Sequence, residues 1–367
     1  MESFIKDTVN AMAAQMNLKT PEVSRSKCLA QKIVIVDGQG GCGKTMLAPI
    51  VSALDRVELL SYSYETEHIC GLWKLKRLDD DVAVAMIRMI TDLKLYNTLM
   101  GRDTNFRVPD LSSVFNDAKP WRYFKRIISR GDAAVPDRIP KERPILLLTT
   151  HTLLNIGEPV FKALGDRLVF IDMVRHPLHM IKQIVLLEMD QVFSSARNFG
   201  LHIKYKGHEI PYYTHGWEEL FVRSNKFERA IYFIDHTFRA NLKARQLMID
   251  RYNANIITVP FEHFVLEPMP YLERIAQALD SKITSTTRRM MKKQNVPRKL
   301  SSEGRSLKIY MRNGWEPPQK GSNERKELER CRNFVVNEVS AEALATLDQF
   351  SADYEKQYAI HFQNIKE

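Results

Sequence analysis

The chain has 367 residues, of which 44% are hydrophobic, so it can build a substantial core in one large domain or in two. Its net charge of +10 indicates a basic surface or a basic cleft for an anionic ligand. No apolar run approaches the roughly 18 residues of a transmembrane helix, and the N-terminus lacks the pattern of a secretory signal. The four scattered cysteines predict reduced thiols, no metal site and a cytoplasmic protein. No helix-turn-helix, zinc or aromatic RNA-binding signature occurs, so nucleic acid is not an expected partner, and the oligomeric state stays open.

The N-terminal residues 1–27 are predicted to form a helical extension, because apolar residues recur at helical spacing from Phe4 to Met16. Residues 28–300 are predicted to form an α/β domain that carries the functional motifs. Residues 301–367 are predicted to form a loop and helices that pack on the same domain.

The first motif of the α/β domain is a glycine-rich segment between a strand and a helix. A β-branched run at residues 33–36 predicts the strand, and apolar residues at helical spacing after Thr45 predict the helix. Gly38, Gly43, Lys44 and Thr45 match the spacing of a phosphate-binding loop, whose backbone N–H groups and lysine attract phosphate. The residues predicted to hold the phosphate are Gly38, Gly40, Gly41, Cys42, Gly43, Lys44 and Thr45.

The remaining elements alternate between strands and helices. Residues 101–134 predict a long irregular insertion with a short helix near 120–128. The other predicted strands are part of 57–64, 145–148, 168–174 and 256–259, and the predicted helices include 79–99, 325–339 and 341–360. This alternation predicts a three-layer α/β/α fold with a central, mostly parallel sheet of the P-loop NTPase type, followed by C-terminal helices. Ligands of such sheets lie beyond the carboxyl ends of the strands, so we expect the phosphate loop, His151 and Arg175 on one rim.

The order of the rim motifs resembles that of the sulfotransferase family over roughly residues 32–280. Thr149-Thr150-His151-Thr152-Leu153 stands where the family has its Lys-Thr-His-Leu-Pro type motif. Val174-Arg175-His176-Pro177 is similar to the family's Arg-Asn-Pro type motif, and Pro260-Phe261-Glu262-His263-Phe264 is similar to its Tyr-Glu-Asp-Leu segment.

This resemblance implies transfer of a sulfuryl group from 3′-phosphoadenylyl sulfate (PAPS) to a hydroxyl or amine acceptor, without a metal. It implies that His151 is the general base and that the loop with Lys44 holds the 5′-phosphosulfate and stabilises developing charge. It further implies that Arg175 holds the 3′-phosphate. The family has a phosphate-binding serine eight residues beyond the arginine, and Gln183 occupies that position here.

Two alternatives stay open. Lys44 and Thr45 follow the second glycine as in kinases and nucleotide hydrolases, whereas sulfotransferases usually carry the lysine before that glycine. An ATP- or GTP-dependent kinase or NTPase would use Thr45 and Asp172 to bind Mg²⁺, although the predicted strand continues to Val174 and leaves Asp172 short of the rim. A nucleotide-binding scaffold without catalysis is the other alternative.

Three further segments allow both a functional and a structural interpretation. Tyr213, His215 and Trp217 either line the acceptor pocket or pack against the domain. Cys42 is either an acidic thiol or a small loop filler. The basic stretch at residues 288–299 either closes over polyphosphate or is an exposed helix end.

Overall fold

The computed structural model of the protein describes residues 21–186, 199–308, 311 and 314–360. Most of the predicted N-terminal helical extension therefore lies outside the described residues, and residues 21–28 carry no regular secondary structure. Among the described helices, none combines the length and the apolar character that crossing a bilayer would require.

The core of the fold is a five-stranded, entirely parallel sheet. Its strands are β1 (Ile33–Asp37), β2 (Ser61–Tyr62), β3 (Leu146–Thr149), β4 (Leu168–Val174) and β7 (Asn255–Pro260). They lie side by side in the order β2-β3-β1-β4-β7. An antiparallel hairpin lies outside this sheet and consists of β5 (His202–Tyr205) and β6 (His208–Pro211). The parallel sheet confirms the predicted fold class.

Helices cover both faces of the sheet. In chain order the described α-helices are α1 (Lys44–Ser52), α2 (Tyr64–Lys74), α3 (Asp80–Met100), α4 (Pro120–Ile127), α5 (Val135–Glu142), α6 (Glu158–Leu164), α7 (Pro177–Leu186), α8 (Glu218–Arg223), α9 (Lys226–Tyr252), α10 (Phe261–Leu266), α11 (Met269–Ala278), α12 (Ser285–Lys293), α13 (Glu324–Asn333) and α14 (Ala341–Tyr358). The C-terminal helices α13 and α14 contact α7, and α14 also contacts α9.

The side chains of β1 alternate between the two faces of the sheet, which explains why helices pack on both faces. Ile33 and Ile35 belong to one buried apolar cluster, with side chains of α2, α3 and α6. Val34 and Val36 belong to another, with side chains of α1, α7, α9 and α14. Successive side chains of a strand point to opposite faces, so a continuous β-branched run is buried on both sides of a parallel sheet.

The register brings the functional ends of the strands together. Val36 of β1 lies beside Thr149 of β3, and Asp37 lies beside Asp172 of β4. The segments that follow β1, β3 and β4 therefore leave the sheet at neighbouring points of one rim.

Most predicted elements are confirmed within one or two residues. The predicted helix at 79–99 is α3, the short helix near 120–128 is α4, and the strand at 168–174 is β4. Ser340 caps α14 as predicted, with its hydroxyl accepting a hydrogen bond from the Ala343 N–H group at 3.3 Å. The hairpin was not predicted, because each of its strands has only four residues and is only partly buried, which leaves too short a pattern to indicate a strand.

Candidate functional site

The glycine-rich loop connects β1 to α1 in a conformation that needs glycine. Gly38 has φ +144° and Gly43 has φ +104°, both in the region that side chains disfavour. A Cβ atom at Gly38 would collide with the carbonyl oxygen of Met173, and one at Gly43 would collide with the ring of Phe261. The loop is therefore wedged between the end of β4 and the start of α10.

The helix that follows the loop is arranged to attract an anion. It begins at Lys44 without a side-chain cap and has no acidic residue in its first turn. The first N–H groups of a helix lack intrahelical partners and carry partial positive charge. The Lys44 side chain is buried, and its ammonium group donates to the carbonyl oxygens of Gly38 and of Gln39, the latter at 2.9 Å. The lysine charge thus lies inside the curve of the loop.

Cys42 fills the interior of this loop. Its side chain is buried, with Sγ 4.0 Å from the Lys44 ammonium nitrogen. Burial raises the pKa of the Cys42 thiol above its ordinary value, in spite of the lysine. The structure therefore favours the loop-filler interpretation over the acidic thiol.

Arg175 lies directly against the phosphate loop. It follows the last residue of β4 and donates from Nη1 to the carbonyl oxygen of Gly41 at 3.0 Å. Its guanidinium carbon lies 4.1 Å from the centroid of the Phe261 ring, a distance typical of a cation–π contact. Burial lowers the pKa of Arg175, but a guanidinium group remains charged at neutral pH. The loop and the arginine form one cationic surface.

The second and third family-like segments meet beside Arg175. Val174 of β4 pairs with Pro260 of β7, so the residues that follow them are neighbours. The carboxylate of Glu262 accepts a hydrogen bond from the His176 N–H group at 2.9 Å. Its other oxygen accepts from the Tyr354 hydroxyl of α14 at 2.8 Å. These contacts fix the turn that carries the arginine.

A cavity of about 290 Å³ opens beside Arg175. Gln183 and Lys182 of α7 line it, together with Arg330 of α13 and the ring of Trp315. Lys182 pairs with Glu316 at 2.6 Å, and Arg330 pairs with the same carboxylate at 3.1 Å. Gln183 also reaches the loop, since its Oε1 would lie 3.2 Å from a Cβ atom at Gly41.

Several buried polar atoms in the wall of this cavity make no hydrogen bond within the described part of the chain. Arg175 Nε, Ser302 Oγ and His179 Nε2 have no hydrogen-bond partner among the described residues. Burial, with the nearby Arg175 charge, holds the pKa of His179 well below its usual value, so its ring is neutral at neutral pH. Orphaned buried donors and acceptors are rare in proteins and call for a ligand or water. The lining also includes the carboxylates of Glu316 and Glu327, which pair with Lys182 and Arg330. The cavity therefore offers the uncompensated charge of Arg175 and unpaired hydrogen-bonding atoms to a polar ligand.

His151 lies on the same rim, after β3. The preceding Thr150 donates from its hydroxyl to Asp37, the last residue of β1, at 2.9 Å. Glu67 of α2 accepts a hydrogen bond from the His151 N–H group at 2.8 Å, and the same oxygen lies 3.2 Å from Nδ1 of the ring. The rings of Tyr62 and Tyr64 stack with the imidazole. A carboxylate at Nδ1 orients a histidine for proton transfer at Nε2.

The carboxylates nearest the loop are already engaged. Asp37 accepts from the Thr150 hydroxyl and from the N–H groups of Leu153 and Leu154. Asp172 is fully buried within β4, two residues before its end, and one of its oxygens pairs with Arg245 of α9, whereas Oδ1 has no hydrogen-bond partner among the described residues. Among the described residues, no His, Cys, Asp and Glu side chains form a group of three that could hold a metal ion.

The aromatic segment predicted as a wall of the acceptor pocket packs mainly against α9. The ring centroids of Tyr213 and Phe233 are 4.7 Å apart, and the ring of Trp217 stacks on that of His236 with centroids 4.8 Å apart. His215 is exposed and bonds to Glu218 at 2.8 Å. For Tyr213 and Trp217 the structure favours the packing interpretation.

Several residues of the site could not be predicted from the sequence. Glu67 and His151 are separated by 84 positions, and no spacing rule connects a helix residue to a histidine of another segment. Ser302 and Arg330 were also missed, because they belong to the C-terminal region and reach the cavity only through tertiary packing.

No family model matches the chain, and no curated protein matches it either. Solved structures do match. The sulfotransferase domain of the olefin synthase from Synechococcus PCC 7002 is 12% identical, covers 92% of this chain and 98% of its own, and gives a TM-score of 0.41. A sulfotransferase of Mycobacterium avium is 12% identical, with coverage of 98% and 81% and a TM-score of 0.42. The sulfotransferase domain of the curacin biosynthetic pathway is 10% identical, with coverage of 84% and 98% and a TM-score of 0.39.

Each of these structures is a sulfotransferase, the family that the sequence motifs resemble. At TM-scores below 0.5 the likeness carries no argument about function. The functional assignment rests on the residues of the rim.

Proposed function

We propose that the protein is a sulfotransferase that moves a sulfuryl group from PAPS to a hydroxyl or amine acceptor. The observation that carries this proposal is the arrangement of one rim. A phosphate loop, an arginine seated on that loop and a carboxylate-oriented histidine stand at the ends of three adjacent strands. Asp37 accepts hydrogen bonds from Thr150, Leu153 and Leu154, and Asp172 pairs with Arg245 inside β4 before the strand ends, which supports chemistry without Mg²⁺.

The loop and the adjacent cavity would hold the two charged ends of the donor. Lys44 and the first N–H groups of α1 would hold the 5′-phosphosulfate. Arg175 and Gln183, with the buried Ser302 hydroxyl, would hold the 3′-phosphate, and the ring of Trp315 would face the adenine. This division gives each negative group its own donors and keeps the sulfuryl group near the rim.

His151 would act as the base in the transfer step. Its Nε2 would take the proton from the acceptor hydroxyl as the oxygen forms its bond to sulfur. The bond between sulfur and the bridging oxygen of the donor would break. The donor without its sulfuryl group (PAP) would leave with the electron pair. Glu67 would keep the proton on Nδ1 and stabilise the imidazolium ion that forms. Lys44 would stabilise the charge on the bridging oxygen.

The alternative of an ATP- or GTP-dependent kinase or NTPase rests on the Lys44-Thr45 spacing. That chemistry would need a carboxylate for Mg²⁺ at the loop. Asp37 would have to release Thr150, Leu153 and Leu154, or Asp172 would have to release Arg245 and reach past the end of β4. The rim geometry therefore favours the sulfate donor.

Thermal unfolding with a panel of nucleotides separates these functions. PAP and PAPS are expected to raise the melting temperature in the presence of EDTA, because a ligand at 100 times its Kd stabilises the native state by about 2.7 kcal/mol. ATP and GTP are expected to give little shift, with or without Mg²⁺. A shift that requires both Mg²⁺ and ATP, with none from PAP, would establish the kinase or NTPase instead.

Arg175→Ala is expected to weaken PAP binding by about 10- to 100-fold, because the variant loses a charge-assisted bond to phosphate. Titration calorimetry measures the change. Arg332→Ala is the matched control, since Arg332 is partly exposed and, within the described part of the chain, its ion pair is with Asp348 on the surface, at 2.7 Å. Equal PAP affinity in the wild type and in Arg175→Ala would remove the arginine from the donor site.

A further inference from the structure

The helix α4 has its amphipathic pattern inverted. Arg122, Tyr123 and Arg126 face inward, and both arginines pair with the buried carboxylate of Glu58. Residues at i, i+4 and i+7 share one face of a helix. The outward side therefore carries Trp121, Lys125 and Ile128, the last directly after the helix.

Large apolar side chains are exposed around this helix. Trp121 is 74% exposed and Ile128 is 86% exposed, the two highest values among the large hydrophobic residues that the structure describes. Val108, Phe115 and Ile127 are exposed as well. The ring of Phe124 packs against the rings of Trp121 and Phe106, with 5.6 Å between ring centroids in each pair. The exposed side chains therefore belong to a packed aromatic cluster. We call this surface the aromatic patch: Phe106, Val108, Phe115, Trp121, Phe124, Ile127 and Ile128.

Basic side chains border the aromatic patch. Lys125 is exposed between Trp121 and Ile128, with no acidic partner among the described residues. The basic stretch singled out in the sequence also reaches this region, where Arg289 and Lys293 of α12 extend to the carbonyl oxygens of Ala118 and Asn116, each at 3.4 Å. Two of the exposed acidic groups nearby have basic partners, since Asp110 pairs with Arg107 at 3.3 Å and Asp137 with Arg130 at 3.8 Å. Two others have no basic partner among the described residues: Asp103, which bonds to the neutral Asn97, and Asp132.

The aromatic patch lies near the amino-terminal ends of the strands, at the opposite end of the sheet from the functional rim. Lys119 donates to the Leu54 carbonyl oxygen, just after the end of α1, at 2.6 Å. Arg122 donates to the carbonyl oxygen of Val57, at 2.7 Å, and Val57 bridges Ile145 before β3 begins. The phosphate loop and His151 lie at the other ends of α1 and β3. A partner on the patch would therefore leave the site open.

The N-terminal segment of the chain enters at the far end of α3. The Val23 N–H group bonds to Asp81 at the start of α3, whereas Arg126 beside the patch bonds to the Thr98 carbonyl oxygen near its end. Asp81 and Thr98 lie on the same helix, so about 26 Å separate these points. The chain then runs along α3, since Arg25 and Leu29 bond to Asp92, about 9 Å from Thr98 along the helix axis. Val23 thus lies at the opposite end of α3 from the patch.

We propose that the aromatic patch and its basic border form a docking surface for a membrane that contains anionic lipid. Tryptophan and isoleucine would enter the interface between headgroups and acyl chains, and the lysines and arginines would face the lipid phosphates. The protein would bind peripherally, with its functional rim directed away from the bilayer. This surface is independent of the proposed sulfotransferase activity.

Sedimentation of the full-length protein with vesicles tests this proposal. We expect binding to vesicles of phosphatidylcholine with phosphatidylserine, weak binding to phosphatidylcholine alone, and release by salt. The variant with Trp121→Ser and Ile128→Ser is expected to bind at least about tenfold more weakly than the wild type. Lys125→Glu is expected to bind about 30-fold more weakly, and this loss should appear on anionic vesicles only. The matched control carries Leu247→Ser and Ile249→Ser, which remove exposed apolar side chains from α9.

Four results would overturn the proposal. The first is absence of wild-type binding to anionic vesicles, and the second is an equal loss in the control variant. The third is binding of single-stranded RNA in place of vesicles, with the same dependence on Trp121 and Lys125. The fourth is fluorescence of Trp121, taken as the difference from Trp121→Phe, that is already typical of a buried indole without lipid. That result would mean that another part of the chain, or a second copy, covers the patch.

Discussion

His151→Ala is expected to slow sulfuryl transfer by about 10²- to 10⁴-fold while leaving PAP affinity unchanged. The imidazole is half-exposed on the rim, and among the described residues its hydrogen bonds connect only to Glu67. Its removal takes away the proton acceptor without disturbing the phosphate loop or Arg175. The measurement is release of PAP from PAPS in the presence of a phenol, an alcohol or an amine as probe acceptor.

The chain offers a matched control for this variant. His215 also has a carboxylate at Nδ1, since it lies 2.8 Å from Glu218, but it is exposed and bonds outside the rim. His215→Ala is expected to transfer at the wild-type rate. A parallel loss of turnover and of PAP affinity in His151→Ala would assign the histidine a structural role. Turnover within a few-fold of the wild type would exclude it as the base.

Glu67→Gln examines how the histidine is held. The amide keeps the size of the side chain but removes the negative charge that stabilises the imidazolium form. Transfer should fall while PAP affinity stays unchanged, because the amide no longer stabilises the imidazolium ion that forms in the transfer step. Transfer at the wild-type rate would mean that Glu67 only positions the backbone of His151.

Arg126→Met is expected to lower the free energy of unfolding by about 3–5 kcal/mol, because it leaves the charge of Glu58 buried and undercompensated. Glu58 is 0% exposed, and Arg126 donates to both of its oxygens, at 2.8 and 3.0 Å. Urea unfolding gives the change directly. Arg332→Met is the control, since Arg332 also donates two hydrogen bonds to one carboxylate, that of Asp348 on the surface. Loss of an exposed ion pair lowers the free energy of unfolding by about 1 kcal/mol or less.

The pH dependence of the wild type follows from the same network. Burial alone would raise the pKa of Glu58, but Arg122 and Arg126 hold it below its ordinary value of 4.5. A carboxyl group with a depressed native pKa stabilises the fold fully above its unfolded pKa, and this contribution is lost as the pH falls through the native value. Arg126→Met should therefore lose less stability than the wild type between pH 5 and strongly acidic conditions. A loss of stability equal to that of Arg332→Met would show that Glu58 does not depend on this partner.

The parts of the fold that depend on local pattern were predictable from the sequence. The run from Ile33 to Val36, the glycine loop and the helix after it follow one another within a few residues, and each carries its own periodicity. The same holds for β4, whose continuation to Val174 places Asp172 inside the strand as the sequence indicated. The parallel sheet then follows from alternation of strands and helices.

The pairs that complete the site and the core were not predictable, because their members are distant in sequence. Glu58 and Arg126 are 68 positions apart, and Asp172 and Arg245 are 73 apart. Composition alone assigns arginines to the surface, yet Arg126 is 2% exposed and Trp121 of the same helix faces outward. The burial of Glu58, the ion-pair partner of Arg126, explains that inversion. The basic stretch likewise had no assigned place until α12 was seen beside the aromatic patch.

The most direct test of the proposed function is transfer itself in the absence of free metal. Purified protein is incubated with PAPS that carries a radioactive sulfuryl group, with a mixture of phenol, alcohol and amine acceptors, and with EDTA. We predict that label moves to an acceptor in the wild type and stays on PAPS in His151→Ala. No transfer to any acceptor, together with release of labelled phosphate from ATP that requires Mg²⁺, would contradict the assignment.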